Sequence, residues 1–579
     1  MTSYKAKRSY KFVKILGGLL VGSLMISLVA CAQSAVPAAP IAPAAPAAPA
    51  APVAASAAPV VIIAGAPTAI PARATATRVL PTATSVVKTS GPRKGGQIVV
   101  TRDYPGWTMD PTFSFEWASL FWMYGVYSGL IRNNVNNEIV PDIAESWDVS
   151  NDGKTITFNL RKDAKFTDGA PVNADAVKWT IDRYMSPDLI EPQGLPSRRN
   201  KQLSEVESFD KIDDYTVSFT LKRPFRPFLA NLTQRPGMIL NPAAIQADPY
   251  GSEASGAVGS GPFKITRWRP EASLVLSANP THYNPDAPYV DSIKVYHSAD
   301  QTVRLAMIRT GDVDFAESIR GLDVSLVDKT GLVLEENSGG RVEVMIVHTW
   351  AAPPFDNRNF RRAMALSLDR ETMVDVLWEG RANPAYIPTG PAYGVYHNPD
   401  LQPLKYDLEK AKAELAKAGY PNGVDIPLPC AGTTAKLTHC AVLQDLWAAA
   451  GIRATIEPKI PSGHWGHWTQ GQFPFIISWR AARPDPHINI QRVFHSEGFS
   501  NPMKYSNATV DALIDQAGAE YDTAKAKALY DEIQDIVVND AVEIYQVNPS
   551  EYHVRKDKIK GYGYYLNAAF RFRDWWIEE

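Results

Sequence analysis

The sequence predicts a protein of the α/β class with more than one hydrophobic core. The chain has 579 residues, of which 45% are hydrophobic, and a single core rarely grows beyond about 250–300 residues. In the second half, the strand-like "VDIPLP" precedes the helical pattern "KLTHCAVLQDLWAAAGI", and the strand-like "RATIEP" comes after it. This strand–helix–strand alternation is typical of α/β domains. Two or three domains are therefore expected.

The first 30 residues have the pattern of a signal peptide. The basic stretch "YKAKRSYKFVK" precedes the apolar run "ILGGLLVGSLMISLVA", whose 16 residues include two adjacent glycines. That run is short for a membrane span but suits the apolar region of a signal peptide. It ends in "LVAC", which resembles the bacterial lipobox, so Cys31 is expected to carry the lipid after cleavage. An ordinary signal peptide or an uncleaved anchor would be the alternative.

Residues 31–92 are predicted to form a disordered linker behind the lipidated Cys31. The segment from Pro37 to Val60 is almost entirely Ala and Pro, and the low-complexity character continues to Pro92. Frequent proline blocks both helices and sheet pairing. A polyproline-like linker of this length could reach roughly 190 Å, so the body is expected to work outside the cytoplasm while tethered to the membrane.

The charge of the body argues against a nucleic-acid partner. Eight of the 59 Lys and Arg residues precede residue 93, whereas none of the 61 Asp and Glu residues precedes Asp103. The body therefore carries 51 basic against 61 acidic residues. A surface with net negative charge repels the phosphate backbone.

In the first half of the body, apolar and turn patterns predict these elements in order. They are a strand at Gly95–Arg102, a buried helix in "EWASLFWMYGVYSGLIR", a hairpin at Glu145–Asp163 that turns at "NDG", a helix from Ala174 with Asn173 as its N-cap, a hairpin that turns near Asp213–Asp214, and two strands in "SGPFKITRWRPEASLVLSANPTHY". Alternating apolar residues around Asn-Asp-Gly are a strong hairpin signal. An Asn before an apolar helical pattern is a common N-cap.

In the second half, the pattern predicts longer helices. "NFRRAMALSLDRETMVDVLWEG" is expected to form one amphipathic helix, and "DLEKAKAELAKAGY" another that Gly419 terminates. The C-terminal region is strand-like in "AVEIYQVNPSEYHVR" and ends in the aromatic "YGYYLNAAFRFRDWW".

Five blocks of the body together resemble a known family. They are "IVPDIAESWDVSNDGKTITFNLRKDAKFTDGAPVNADAV", "VGSGPFKITRW", "VRLAMIRTGDVDFA", "PPFDNRNFRRAMALSLDRETMV" and "YDLEKAKAELAKAGYPNG". With these blocks in this order, the chain resembles family 5 of the bacterial extracellular solute-binding proteins, which are dipeptide, oligopeptide and nickel receptors of ABC importers.

The resemblance implies the two-lobed periplasmic-binding-protein type II fold, with an extra subdomain inserted in the first lobe (cluster C-like). Lobe I would comprise 93–130, 256–343 and 546–579, the inserted subdomain 131–255, and lobe II 344–545. A solute that contacts both lobes would favour the closed state, which the permease recognises. The expected partners are the ABC permease and ATPase, the membrane and one small solute, and the receptor is expected to be a monomer.

No motif of the body predicts catalysis, a cofactor or a metal. "GAVGSGP" lacks the glycine that a nucleophile elbow has two residues before its serine. His464 and His467 in "HWGHW" form a lone pair without a nearby carboxylate, which is weak evidence for a metal site. Trp465 and Trp468 of the same segment could provide flat apolar walls for a ligand, or belong to a surface helix.

Cys430 and Cys440 lie between the predicted strand and helix of the α/β unit. Outside the cytoplasm, two such cysteines commonly pair, so a disulfide is predicted, with two buried thiols as the alternative.

The stretch "SWRAARPDP", Ser478 to Pro486, occupies the position of the family's ligand-gripping loop. In the peptide receptors, the resemblance implies, a Trp is followed three residues later by an Asp that binds the amino terminus of the peptide. Here Trp479 matches the Trp, but the third position is Ala482, between Arg480 and Arg483. Either at least one of these arginines meets a carboxylate, a phosphate or sugar hydroxyls in the cleft, or both point to solvent or pair with acids such as Asp485.

From the first lobe, Tyr104 and Trp107 in "RDYPGWTMDP" are the candidates for ligand contact, although core packing would explain them equally well. The family's usual solute, a peptide, is the expected ligand. An oligosaccharide or an anionic small molecule is the alternative, because the amine-binding acid is missing. A secreted hydrolase and a receptor that signals to a membrane sensor are the rivals of other classes.

Overall fold

The computed structural model describes residues 91–578, except for 104–105, 107, 114–116, 190–198, 250, 252–255, 320–323, 325–326, 328–330, 461–462 and 567–568. These residues belong to one compact unit, Val87–Glu579. The predicted signal peptide, the lipidation site Cys31 and the linker up to residue 90 lie outside the described residues, as do Tyr104 and Trp107. Among the helices that are described, none is long and apolar enough to cross a membrane.

The strands in chain order are β1 (Gln97–Arg102), β2 (Ile131–Asn133), β3 (Ile139–Pro141), β4 (Ala144–Val149), β5 (Thr155–Leu160), β6 (Val206–Asp213), β7 (Thr216–Leu221), β8 (Phe263–Arg269), β9 (Ser273–Ala278), β10 (Ser292–His297), β11 (Phe315–Ile319), β12 (Leu332–Asn337), β13 (Arg341–Val347), β14 (Ala382–Pro384), β15 (Val424–Ala431), β16 (Ile452–Lys459), β17 (Phe475–Ala481), β18 (Glu543–Pro549), β19 (Glu551–Lys556), β20 (Ile559–Lys560), β21 (Tyr564–Tyr565), β22 (Ala569–Phe570) and β23 (Trp576–Ile577).

The α-helices are α1 (Trp117–Val126), α2 (Ala174–Met185), α3 (Phe228–Leu232), α4 (Pro242–Ala247), α5 (Gln301–Thr310), α6 (Arg358–Leu366), α7 (Arg370–Trp378), α8 (Leu408–Lys417), α9 (Thr434–Ala448), α10 (His464–Thr469), α11 (Pro486–Phe494), α12 (Ala508–Ala519) and α13 (Thr523–Asn539). Short 3₁₀ turns cover Arg199–Leu203, Arg235–Gly237, Pro391–Tyr396 and Phe572–Asp574.

The first lobe is built on a mixed seven-stranded sheet in the order β12-β19-β11-β1-β10-β9-β8. The central β1 pairs parallel with both β10 and β11, and the outer pairs are antiparallel. In β1, Ile98, Val99 and Val100 are apolar in succession, and Ile98 and Val100 are fully buried, as is typical of a parallel strand that is covered on both faces. Strand β19 comes from near the C-terminus, so the first and last segments of the body share one sheet.

The inserted subdomain has a core of its own around an antiparallel sheet in the order β4-β5-β7-β6. Its β4–β5 hairpin turns at the predicted Asn-Asp-Gly, where Gly153 adopts φ +69°, a conformation that glycine reaches without strain. Its helix α2 begins as predicted, because the Asn173 side chain accepts a hydrogen bond from the Ala176 N–H at 3.2 Å.

The second lobe packs helices around the antiparallel sheet β14-β18-β13-β17. The predicted strand–helix–strand unit is present as β15, α9 and β16, with the two strands paired in parallel. Cys430 at the end of β15 and Cys440 on α9 are joined by a disulfide in the structure.

Two short segments connect the sheets of the two lobes. Strand β12 of the first sheet passes through 338–340 into β13 of the second, and β18 passes through Ser550 into β19. Gly339 adopts φ +78°, and a Cβ at this residue would lie 2.7 Å from the Ala392 nitrogen. Glycine is therefore required at this crossing. The domain boundaries proposed from the sequence stay predictions.

One predicted helix is wrong. Residues 359–380 were expected to form a single helix, but α6 ends at Leu366 and α7 begins at Arg370. The Ser367 hydroxyl donates to the Ala363 and Met364 carbonyls, while the Asp369 carboxylate accepts from the Thr372 N–H. A capping Asp starts a new helix when its side chain satisfies an N–H of the first turn.

Candidate functional site

A cavity of about 1480 Å³ separates the inserted subdomain from the second lobe. One wall comes from residues of the 201–235 segment, and the other from residues between Trp350 and Asp515. The walls belong to different hydrophobic cores, so a molecule bound in this cavity would contact two separately packed bodies.

The stretch "SWRAARPDP" was expected to be a loop, but its first four residues, Ser478 to Ala481, form the end of β17, and only residues 482–485 connect this strand to α11. The Ala482 N–H donates to the Gly340 carbonyl at 2.8 Å, which fixes the loop to the crossing between the sheets. Asp485 is the N-cap of α11 and accepts from the His487 N–H at 2.9 Å. On β17, the Trp479 ring contacts the guanidinium of Arg341, whose Cζ lies 4.6 Å from the ring centroid.

Arg480 lies at the cavity and is held by a buried acid. Its Nε and Nη2 donate to the same Glu543 oxygen, Oε1, at 3.0 and 2.5 Å, and the other oxygen accepts from the Tyr545 hydroxyl at 2.9 Å. The two side chains of the pair are 11% and 2% exposed. Arg480 thus has a fixed position at the cavity wall.

Arg483 reaches towards the opposite wall. Its Nη1 donates to Gln234 Oε1 at 3.3 Å, and its main-chain N–H donates to the Tyr393 hydroxyl at 2.9 Å. The same hydroxyl accepts from Asn489 Nδ2 at 3.0 Å. Because Gln234 belongs to the inserted subdomain, Arg483 bridges the two walls.

Sequence reasoning missed Arg492, which joins these two arginines at the cavity. It lies in the last turn of α11, where its Nε donates to Asn489 Oδ1 at 2.9 Å. Burial and the charges of Arg483 and Arg480 hold the pKa of Arg492 well below its usual range. The helical pattern "PHINIQRVF", which directly follows the loop, could have revealed Arg492 in the sequence, because a helix there places this side chain near the loop.

The described lining of the cavity is rich in positive charge. Its basic residues are Lys201, Lys222, Arg223, Arg235, Arg480, Arg483, Arg492 and Lys504, and its acidic residues are Glu205, Glu497 and Asp515. Two of these three acids form ion pairs with Arg223, Glu205 at 2.9 Å and Asp515 at 2.7 Å. The cavity therefore favours a negatively charged occupant.

Asp485, considered above as a partner of the loop arginines, pairs instead with Arg226 of the inserted subdomain. Arg226 Nη2 also donates to the Tyr530 hydroxyl at 2.9 Å. Together with the Arg223–Asp515 pair, this contact joins the two walls beside the cavity.

The two tryptophans of "HWGHW" have different environments. Trp465 lines the cavity and is 42% exposed, whereas Trp468 is fully buried. The Trp468 ring stacks on His348 with 4.4 Å between ring centroids and 9° between planes, so it supports the core behind the wall. The second exposed tryptophan of the cavity is Trp350, whose ring centroid lies 4.5 Å from Lys504 Nζ.

No cluster of three or more His, Cys, Asp or Glu side chains that could hold a metal ion occurs among the residues with described positions. Tyr104 and Trp107, the ligand contacts expected from the first lobe, are not among the residues that the structure describes.

Comparisons with known proteins agree with this architecture. The model of the bacterial extracellular solute-binding proteins, family 5 Middle, matches residues 138–501. The glutathione-binding protein GsiB of Escherichia coli K12 is 29% identical over 483 residues, which cover 81% of this chain and 92% of GsiB.

Solved structures match over nearly their full length. The periplasmic binding protein DppA of Helicobacter pylori, in complex with the peptide STSA, has a TM-score of 0.75 and 26% identity, and the match covers 84% of this chain and 99% of DppA. The oligopeptide-binding protein AppA of Bacillus subtilis, in complex with a nonapeptide, has a TM-score of 0.74 at 22% identity, with 84% and 100% covered. The chain therefore has the type II periplasmic-binding-protein fold.

Proposed function

Since this chain belongs to family 5 of the bacterial extracellular solute-binding proteins, we propose that it captures a peptide-like solute in its cleft and delivers it to the permease of an ABC importer. The observation that carries the proposal is the cavity of about 1480 Å³ between two separately packed walls. It exceeds the about 300–1,000 Å³ of typical small-molecule sites, which suits a short peptide. The names of GsiB and of the DppA complex, which mention glutathione and a peptide, support the same substrate class.

Closure couples solute capture to delivery. A solute that contacts both walls stabilises the closed state by the difference between its affinities for the closed and open states. The crossings at 338–340 and Ser550 are the segments about which the lobes would turn, since hinges are a few residues at the ends of elements. The receptor performs no chemistry itself, and its wall residues bind rather than react.

An anionic small molecule is the second candidate solute, which the cationic lining favours. Peptides and organic anions can be compared in one thermal-unfolding screen, with glutathione and the peptide STSA as first probes. A bound solute stabilises the protein by about 2.7 kcal/mol at a hundredfold excess over its Kd. The peptide proposal fails if organic anions raise the unfolding temperature and no peptide does.

The sequence further supports a lipid anchor at Cys31 and a location outside the cytoplasm. Replacement of Cys31 by Ser should release the protein from membranes into the soluble fraction, because acyl chains contribute about 0.8 kcal/mol per buried CH₂. Membrane fractionation with and without the substitution tests this. Unchanged membrane association of Cys31→Ser would contradict the lipobox interpretation.

A further inference from the structure

A second, much smaller cavity lies within the first lobe and its inserted subdomain, and we call it the first-lobe cavity. Its volume is about 30 Å³, which is enough for about one or two particles of the size of a water molecule. The described residues that line it come from 124–142, 233–262 and 565–574. Among described residues, it shares only Gln234 with the large cavity. The first-lobe cavity is therefore a separate site from the cleft.

The basic residues that line the first-lobe cavity are Arg132, Arg571 and Arg573. Arg571 is 6% exposed, and its Cζ lies 4.1 and 4.4 Å from the ring centroids of Tyr124 and Tyr565. Its hydrogen bonds go to the main-chain oxygen of Asn133, at 3.2 Å, and to the side-chain Oδ1 of the same residue. Both acceptors are neutral, so these bonds hold the guanidinium in place without compensating its charge.

Arg132 on β2 is half-buried and has fewer contacts. Its Nε is buried without a hydrogen-bond partner among the described residues, and so is the Nε of Arg571. Of the three arginines, only Arg573 has a described carboxylate oxygen within ion-pair distance, that of Asp574 at 4.0 Å. Burial and the charge of Arg573 lower the pKa of Arg132, as expected for a cation that its surroundings do not fully compensate.

The acidic residues of the lining, Asp142 and Asp574, leave this positive charge in excess. Asp142 is 5% exposed, and both of its oxygens accept hydrogen bonds, from the Tyr283 hydroxyl at 2.5 Å and from the Gly129 N–H at 3.0 Å. The Asp574 side chain is 49% exposed, so solvent screens its charge. Three guanidinium groups therefore share one buried and one solvated carboxylate.

Gln234 adds a neutral donor to the same lining. It is 6% exposed, and its Nε2 has no hydrogen-bond partner among the described residues. A buried donor without a partner is costly, and Arg132, Arg571 and Gln234 each have one. A water molecule could accept hydrogen bonds here, but an anion would also compensate the excess positive charge.

We propose that the first-lobe cavity binds a small inorganic anion, chloride in the first place, which Arg132, Arg571 and Gln234 hold. The volume of about 30 Å³ suits a monatomic anion and is too small for a peptide carboxylate with its chain, a phosphate or a sugar acid. Arg571 follows β22 near the C-terminus, whereas Arg132 belongs to β2, so the anion stabilises the contact between the end of the body and the first lobe. The site does not depend on the solute in the cleft or on the proposed receptor function.

Urea unfolding of the purified protein, followed by tryptophan fluorescence, tests this site. The measurements are made in sodium chloride and in sodium methanesulfonate at equal concentrations, because methanesulfonate gives the same ionic strength but is too large for the cavity. The measured quantity is the ratio of the folding equilibrium constants in the two salts. In the wild type, this ratio should rise about tenfold for each tenfold increase in chloride above its Kd.

The variant Arg132→Gln removes one cation of the site. Its ratio should not change with the chloride concentration, and in methanesulfonate the variant should be at least as stable as the wild type, since an uncompensated charge has been removed from a half-buried position. The matched control is Arg267→Gln on β8 of the same lobe, where the arginine is exposed. It should keep the wild-type ratio.

A crystal of the wild type soaked in sodium bromide locates the anion through the anomalous scattering of bromine. We expect a peak in the first-lobe cavity, within hydrogen-bond distance of Arg132 and Arg571. Absence of this peak overturns the proposal and means that water occupies the cavity. A peak combined with equal chloride responses of the wild type and Arg132→Gln means an adventitious ion only and also overturns it. If Arg132→Gln does not fold in either salt, the wild-type ratio and the bromide peak decide, and both are then required.

Discussion

Removal of Arg480 should destabilise the second lobe far more than removal of the whole Arg480–Glu543 pair. The Glu543 side chain is 2% exposed, and two of its hydrogen bonds come from Arg480. In Arg480→Met, the carboxylate keeps the Tyr545 hydroxyl as its partner but loses its counter-charge. In the double variant with Glu543→Gln, no uncompensated carboxylate remains.

The expected magnitude follows from the burial of the pair. Breaking a buried ion pair by removal of one partner costs about 3–5 kcal/mol. The two lost hydrogen bonds, at about 1.5–3 kcal/mol each for charged partners, give a similar gross value. The double variant should lose about 1–2 kcal/mol, so Arg480→Met alone should lose on the order of 2–3 kcal/mol more than the double variant. The coupling energy also includes the loss in the Glu543→Gln single variant and should be at least as large.

Equilibrium unfolding in urea, followed by tryptophan fluorescence, measures these free energies for the wild type, both single variants and the double variant. A coupling energy below about 0.5 kcal/mol, the ordinary error of additivity between independent sites, would refute the reasoning that Arg480 compensates Glu543. Asp425→Asn provides the matched control, since the side chains of the Arg453–Asp425 pair are exposed and an ion pair in solvent contributes little to stability.

The remaining predictions concern the disulfide, acid stability and the crossing between lobes. Loss of the Cys430–Cys440 disulfide through a double Ala substitution should lower the free energy of unfolding by about 2.7 kcal/mol for a loop of about 11 residues. Thiol alkylation of the denatured wild type should label neither Cys430 nor Cys440, and labelling of both would contradict the pairing. Burial lowers the pKa of four histidines to about 3 or 4: His282, His439, His487 and His553. A depressed pKa keeps these histidines neutral in the folded protein, whereas in the unfolded chain they take up a proton as the pH falls below about 6.5. The free energy of unfolding should therefore be highest above that pH and decrease as the pH falls towards 4, on the order of 2 kcal/mol per group by pH 5. Urea midpoints at pH 7 and 5 test this, and equal midpoints contradict it. Gly339→Ala should lower the unfolding temperature more than Gly380→Ala, because both residues have positive φ but only Gly339 has an atom within 3 Å of the added Cβ; equal shifts would mean that the crossing tolerates a side chain.

Local features of the fold could be predicted because their causes lie within a few residues. The Asn173 cap bonds Ala176, and the Asn-Asp-Gly turn closes β4 onto β5. The split between α6 and α7 was also a local event, at Asp369, but the apolar periodicity of the surrounding sequence concealed it. The family blocks supplied the arrangement of lobes, which no local pattern contains.

The candidate site could be predicted only in part. Trp465 and Trp468 are three residues apart in one motif, yet the first lines the cavity and the second is buried against His348. Arg480 was considered with Asp485 as a partner, but its acid is Glu543, which is 63 residues away. Gln234, which faces Arg483 from the other wall, is 249 residues distant in the chain.

By itself, the sequence determined that this is a family 5 receptor body in which Ala482 stands between two arginines. It determined this because helix caps, turns and strand periodicity depend on neighbours in the chain, and the family blocks preserve their order. Only the tertiary structure decided how those arginines are used: Glu543 fixes Arg480, while Arg483 donates to Gln234 of the opposite wall. The physical reason is that the direction and charge balance of a long side chain depend on groups that folding brings from distant segments of the chain.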